Sequence, residues 1–358
     1  MGGVLKTSCQ SVSDTGNIQK TRKESGAPPT TEVTGLRAWL RMNGPIPVII
    51  DTDIGVDDAY AVMLAFSSPV LKVLGVTTSY GNVSADDSTV NAIKILELLE
   101  KRCRVAKGEE GPLFGKRRRY SSSRGSFLHG KDGLGNKAYT LPSPLHVETH
   151  EDAVSYMAQL IRKSDTKVTL VALGPMTNIA LLLLTYPELK NRIDGIAMMG
   201  GSAYGGNTLP AGEANIVADP EAAQIVLQSG VRIVMCGLEC TEKAYFIKDD
   251  LEMFRLVGGS VGRFYYDMTQ DYMNATEKLT GNRRAVIHDS VPVAWLINPS
   301  VIKAKPCYIE IDLSGQYTRA CTVTDEFCID RRPNAMMAFE LDRDLFVRMH
   351  IEAFRRYR

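Results

Sequence analysis

Pro47-Val48-Ile49-Ile50-Asp51-Thr52-Asp53-Ile54-Gly55-Val56-Asp57-Asp58 is the stretch from which the fold is read. Its apolar start predicts a strand from Pro47 to Asp53, buried on both faces. Gly55 permits a sharp turn, and Val56 to Phe66 predicts a helix stopped by Ser67-Ser68-Pro69. Outward from this unit the alternation continues. Leu71–Thr77, Lys167–Ala172, Ile193–Met199 and Val231–Met235 read as further strands. Ala85–Leu99, Thr177–Leu184, Pro220–Gln228, Ser260–Glu277 and Asp289–Ile297 read as helices. Ile309–Ile311, Arg319–Val323 and Ala335–Leu341 read as late strands, antiparallel in part, before an amphipathic helix from Asp342 to Arg358. The pattern predicts an α/β fold: one open, mostly parallel, Rossmann-like sheet with helices on both faces and a few extra antiparallel strands.

The chain has 358 residues, enough for one large domain, and no internal repeat. We divide it into a disordered tail, 1–45, rich in Ser, Thr, Gly, Lys and Arg, and a single domain, 46–358. A net charge of +1 gives no basis for a nucleic-acid partner, and no apolar run reaches the length of a membrane helix. The seven cysteines lack zinc spacing and read as reduced thiols of a cytoplasmic protein. The tail has no secretory core, its start departs from a myristoylation signal at Lys6, and it leaves organelle targeting open. Residues 107–147 form a long, polar, Gly-rich stretch, and Lys116-Arg117-Arg118-Arg119 within it reads as a solvated loop.

The acids decide the chemistry. Asp51, Asp53, Asp57 and Asp58 follow or end a buried strand, which delivers them to the mouth of the sheet, where ligands of such folds bind. Asp57 and Asp58 gain from the helix dipole, but a dipole cannot hold four like charges together. They must take up protons or bind a cation. A hard divalent ion with oxygen ligands suits them, and calcium tolerates irregular geometry. Asp51-Thr52-Asp53 also opens like the Asp-x-Asp of haloacid-dehalogenase-type, magnesium-dependent phosphatases, although Gly55 and the Asp57-Asp58 pair are foreign to that motif.

The segment Asp51-Thr52-Asp53-Ile54-Gly55-Val56-Asp57-Asp58-Ala59 resembles the signature of the inosine-uridine nucleoside hydrolase family. The resemblance runs over residues 47–357. It continues through Tyr80-Gly81-Asn82, His129-Gly130-Lys131-Asp132-Gly133-Leu134, Leu173-Gly174-Pro175-Met176-Thr177-Asn178, Asn207 to Asn215 with Asp219-Pro220, and His288-Asp289, in that order. Ile54 stands where proline is commoner. The resemblance implies a calcium ion held by Asp53, Asp58, Asp289 and the carbonyl of Leu173. It implies a ribonucleoside of uridine or inosine type, cleaved by water at the N-glycosidic bond to ribose and free base. Asp53 would take the proton of the water and His288 would protonate the leaving base. Asp57, Asn82, Asn207, Glu213 and Asn215 would hold the ribose, and His129 would lie near the base. Residues 264–284, Tyr272 among them, would contact the base, although Tyr265, Tyr266 and Tyr272 also fit a core or an interface. A homodimer or homotetramer is implied as well. Alternatives of other classes are the phosphatase and an inactive nucleoside-binding protein; the latter would lack the base and acid that Asp53 and His288 offer.

Overall fold

The computed structural model describes residues 44–115, 125–142 and 152–358. The tail through residue 43 and the basic run 116–119 lie outside the described residues.

The opening strand, β1 (Ile46–Thr52), is buried along its whole length. It pairs in parallel with β2 (Leu71–Thr78) on one side and β4 (Val168–Ala172) on the other. The remaining strands are β3 (Val105–Lys107), β5 (Ile193–Met199), β6 (Ile233–Cys236), β9 (Ile302–Ile311), β10 (Thr322–Asp325) and β11 (Ala335–Leu341), with β7 (Tyr245–Phe246) and β8 (Ala285–Val286) in a separate antiparallel pair. Among the described residues the main sheet has nine strands in the order β10-β9-β11-β6-β5-β4-β1-β2-β3. Only β9 breaks the parallel run, pairing antiparallel with both β10 and β11. The expected mixed sheet is therefore present, with β11 joining the parallel part beside β6.

Alternation along β1 builds two cores. Val48 and Ile50 point into one apolar cluster and Ile49 into the other, as the period-two geometry of a strand requires. Helices α1 (Val56–Ser67), α9 (Gly259–Thr280), α10 (Ser290–Ile297) and α11 (Arg343–Arg355) contribute to the first cluster. Helices α3 (Ala153–Lys163), α4 (Thr177–Thr185) and α6 (Pro220–Leu227) contribute to the second. Helix α2 (Ala85–Leu98) starts where the Ser84 hydroxyl accepts from the Asp87 N–H. The chain crosses from β1 to β2 on one side and returns to β4 on the other. The switch point at which open α/β sheets bind ligands thus lies beyond the carboxyl end of β1.

The helices α3 and α8 (Lys248–Val257) and the short α5 (Ala214–Ala218) and α7 (Leu238–Thr241) were not foreseen from the sequence. Within the described part of the polar stretch 107–147 the backbone has structure. A helical turn spans 125–129, and Gly135, at a left-handed φ of +61°, brings the chain so close to α9 that a Cβ there would meet the Met268 carbonyl at 2.0 Å. Only glycine fits that approach.

Candidate active site

Beyond Thr52 the chain leaves the sheet and four carboxylates converge. Asp53 comes from the end of β1, Asp57 and Asp58 from the first turn of α1, and Asp289 from the residue before α10. All four are at most 4% exposed. Asp58 lies deepest. It accepts from the Thr52 hydroxyl at 2.5 Å, the Gly55 N–H at 2.7 Å and the Asn82 side-chain amide at 3.1 Å. Asp53 accepts from the Asn82 N–H at 2.6 Å. Gly81 explains that short contact: a Cβ there would stand 1.8 Å from the Asp53 carboxylate.

The electrostatics follow from burial. Desolvation first, then the charges of Asp58 and Asp57, push the Asp53 carboxyl well above the ordinary carboxylate range. Burial, and then the charge of Asp58, raise Asp57 to about 7. Asp58 is raised by burial against its three hydrogen bonds, and Asp289 is raised well above the ordinary range by burial and by all three neighbours. Asp57 and Asp289 approach closely enough for one to hold its proton against the other.

Three carboxylates, Asp57, Asp58 and Asp289, each offer an oxygen within 4.8 Å of the others. One oxygen of Asp53 and one of Asp57 are buried with no hydrogen-bond partner. Orphaned oxygens on crowded, desolvated acids, with no lysine or arginine ion-paired to them among the described residues, are the donor set of a hard cation. The expected ligand Leu173 lies directly after β4 and lines the same cavity as Asp53 and Asp289, and its carbonyl is engaged from one side. It accepts from the Asn215 side-chain amide at 2.7 Å.

Above the acids opens a cavity of about 1110 Å³, counted with its open mouth. Every residue that the family resemblance assigned to catalysis, the metal or the substrate by its own number lines it except Asp58, which is fully buried. Asp51, the other acid of the opening segment, is absent from the lining. It accepts from Thr77 at 2.6 Å and Asn178 at 2.8 Å, and burial lifts its carboxyl to about 6. It serves the packing of β1 against β2 and α4.

The polar residues on the opposite wall are held by backbone. Glu213 caps α5 by accepting from the N–H groups of Asn215 and Ile216, and it also accepts from Gly201. Asn207 accepts from the Ala214 N–H at 3.0 Å. The asparagine amides and the glutamate are thus fixed in place while lining the cavity.

Two histidines face the same space. His129 closes the turn at 125–129, and its Nδ1 accepts from the Val56 N–H at 3.1 Å. That bond puts the ring proton on Nε2, so the 3.6 Å approach of the same Nδ1 to Asp57 is not an ion pair. The ring lies 5.2 Å from that of Tyr272. His288 shares a 2.8 Å hydrogen bond between its Nδ1 and the Thr241 hydroxyl. Of the three tyrosines on α9, Tyr265 is core, donating to the Ala59 carbonyl, and Tyr266 binds Glu252. Tyr272 lines the cavity, with its hydroxyl on the Val286 carbonyl.

Thr276, Thr280 and Arg284 fall in the stretch 264–284 expected to contact the base, although none was singled out there, and Thr241 was missed in the sequence. They flank or line the cavity near His288. Thr241 carried no signal, because it reaches His288 only through the packing of α7 below β8.

The family model for inosine-uridine preferring nucleoside hydrolases matches residues 48–348. A pyrimidine-specific ribonucleoside hydrolase of Shewanella sp. (strain ANA-3) is 39% identical over 318 residues, which cover 87% of this chain and 96% of that protein. Among solved structures, a purine-preferring ribonucleoside hydrolase from Gardnerella vaginalis superposes with a TM-score of 0.81 at 30% identity, covering 86% of this chain and 98% of that one. A plant nucleoside hydrolase gives a TM-score of 0.79 at 30% identity, covering 87% and 99%.

Proposed function

The chain belongs to the inosine-uridine preferring nucleoside hydrolase family, and from that footing we propose that it cleaves pyrimidine ribonucleosides, uridine foremost, with calcium held among Asp53, Asp58, Asp289 and the Leu173 carbonyl. One observation carries this reading: four buried carboxylates converge, two of them with an orphaned oxygen, and three of them line one cavity with His288. The 39% identity to a pyrimidine-specific enzyme supports the choice of base.

Asp53 is the general base. One oxygen is fixed by the Asn82 N–H, and the other is buried and unpartnered, so it can take a proton from a water at the sugar's open face. A divalent cation bound there supplies the counter-charge that ionises these acids and adds acidity to the attacking water. Asp57 accepts from a ribose hydroxyl, and Asn207, Glu213 and Asn215, already locked by backbone bonds, orient the remaining sugar oxygens. As the C1′–N bond breaks, its electron pair moves onto the base, and the water oxygen bonds C1′. Carboxylates under the ring offset the oxocarbenium charge. As an imidazolium, His288 donates from Nδ1 to the Thr241 hydroxyl and gives its Nε2 proton to the departing base, which leaves it a neutral imidazole. His129 packs beside Tyr272 at the base end.

Asp51 weighs against a phosphatase. In the Asp-x-Asp arrangement the first acid is the nucleophile, and here it is outside the cavity and bound to Thr77 and Asn178. Self-association as a dimer or tetramer and a cytoplasmic location belong to the same proposal and rest on the family resemblance. No helix among the described residues is long and apolar enough to cross a membrane.

The test is release of reducing sugar from uridine, cytidine and inosine, with and without a chelator. Ribose from the pyrimidine nucleosides, lost on chelation and restored by calcium, is the expected result. No ribose from any of the three in the presence of calcium would overturn the reading.

A further inference from the structure

Arg284 stands four residues before His288, on the segment that leads from α9 through β8 to α10, and it lines the cavity together with Thr276, Thr280, Val286 and His288. Its guanidinium lies over the Tyr245 ring, 4.9 Å from the centroid. The same ring carries Arg343, 4.4 Å from the centroid. The two cations differ in what answers their charge. Arg343 is anchored by Asp250 and by the Tyr245 carbonyl. Arg284 has no carboxylate partner among the described residues, and its Nε is buried with no hydrogen-bond acceptor. A buried guanidinium N–H without a partner is costly and calls for one.

The ligand chemistry follows from what the leaving base becomes. When the glycosidic bond of a pyrimidine nucleoside breaks, the electron pair arrives on N1 and spreads onto the exocyclic oxygen at C2, the atom next to the breaking bond. Purine nucleosides have no oxygen beside their glycosidic nitrogen. We propose that Arg284 is the specificity-determining residue for the base: it donates to the 2-oxo group of a pyrimidine and stabilises the negative charge that gathers there while His288 delivers the proton. The planar fork suits an oxygen with two lone pairs. Stacking on Tyr245 restricts the side chain in advance, so little rotamer entropy is lost when the base arrives. The proposal rests on the nucleoside hydrolase reading, and the experiment separates the two.

Arg284→Met and Arg284→Lys are compared with the parent protein, loaded with calcium, on four substrates: uridine, cytidine, inosine and 4-nitrophenyl β-ribofuranoside. The last has a leaving group that needs neither a proton nor a neighbouring oxo contact. The methionine variant should lose about 10²-fold in kcat/KM on uridine and cytidine, the range for one preorganised donor on a developing charge. It should lose less than threefold on inosine and on the nitrophenyl riboside. The lysine variant should fall between parent and methionine, because it keeps the charge without the fork. A parallel loss on all four substrates would mark a structural role and overturn the proposal, as would an unchanged uridine-to-inosine ratio. If the parent protein cleaved none of the four, the family reading of this site would itself have failed.

Discussion

Calcium affinity should depend steeply on pH, and the dependence can be worked from the four acids. In the metal-free protein Asp57 sits at about 7 because burial and Asp58 disfavour its charge. A carboxyl whose folded-state value lies above its unfolded one contributes stability that is present in acid and lost as pH rises through the folded value. For Asp57 that loss runs from the unfolded value of 3.8 to about 7, roughly 4 kcal/mol at about 1.4 kcal/mol per unit. An ion bound beside the ionised carboxylate releases its proton and removes this loss. Between pH 5 and pH 7 the stabilisation by saturating calcium should therefore grow by about 2.7 kcal/mol for the Asp57 proton alone. The dissociation constant should tighten by about 10²-fold over the same range, and Asp53 and Asp289, raised by the same causes, steepen it further. For a domain of this size the growth corresponds to a shift of roughly 5 °C in the calcium-induced rise of the melting temperature. Calorimetric titration at pH 6 in buffers of different ionisation enthalpy counts the released protons directly, and at least one is expected. Calcium affinity that stayed flat between pH 5 and pH 7 would mean that the acids are already ionised without the ion. The electrostatic account of the site would then be refuted.

Three further expectations follow from single contacts. Asp53→Asn should lower turnover of uridine by several orders of magnitude, since it removes the base while keeping the shape; turnover near the parent level would remove Asp53 from that role. Gly81→Ala should cost at least tenfold in kcat with far less effect on melting temperature, because its Cβ would displace the Asp53 carboxylate from 1.8 Å away; unchanged kcat would show that the position of Asp53 is not what Gly81 protects. His350 donates from Nδ1 to the Phe346 carbonyl, its Nε2 is buried without a partner among aromatic rings, and burial lowers it to about 4. Its folded value lies below the unfolded one, so stability is held above pH 6.5 and lost as pH falls, about 2.7 kcal/mol by pH 4.5. Denaturant unfolding at the two pH values should show His350→Phe losing that much less than the parent, and equal losses would contradict the assignment.

What the sequence revealed and what it hid differ in kind. The opening strand and α1 were legible because burial on both faces writes a continuous apolar run, and the acids after it stand out against that run. The neighbours of β1 were legible for the same reason. At the base end only the stretch 264–284 and Tyr272 were legible, and the meeting of that stretch with Thr241 was not. Thr241 and Arg284 lie 43 positions apart on α7 and the loop before β8, and only the pairing of β7 with β8 brings their segments together. No local periodicity encodes such a meeting. Asp51 and Asp53 mark the opposite limit: two acids separated by one residue look equivalent on paper. The strand ends between them, so Asp51 remains tied to Thr77 and Asn178 inside the packed sheet while Asp53 turns into the cavity. One residue of strand length thus decides which acid is structural and which can meet a substrate. The same boundary separates a hydrolase of nucleosides from a phosphatase that would need the first acid as its nucleophile.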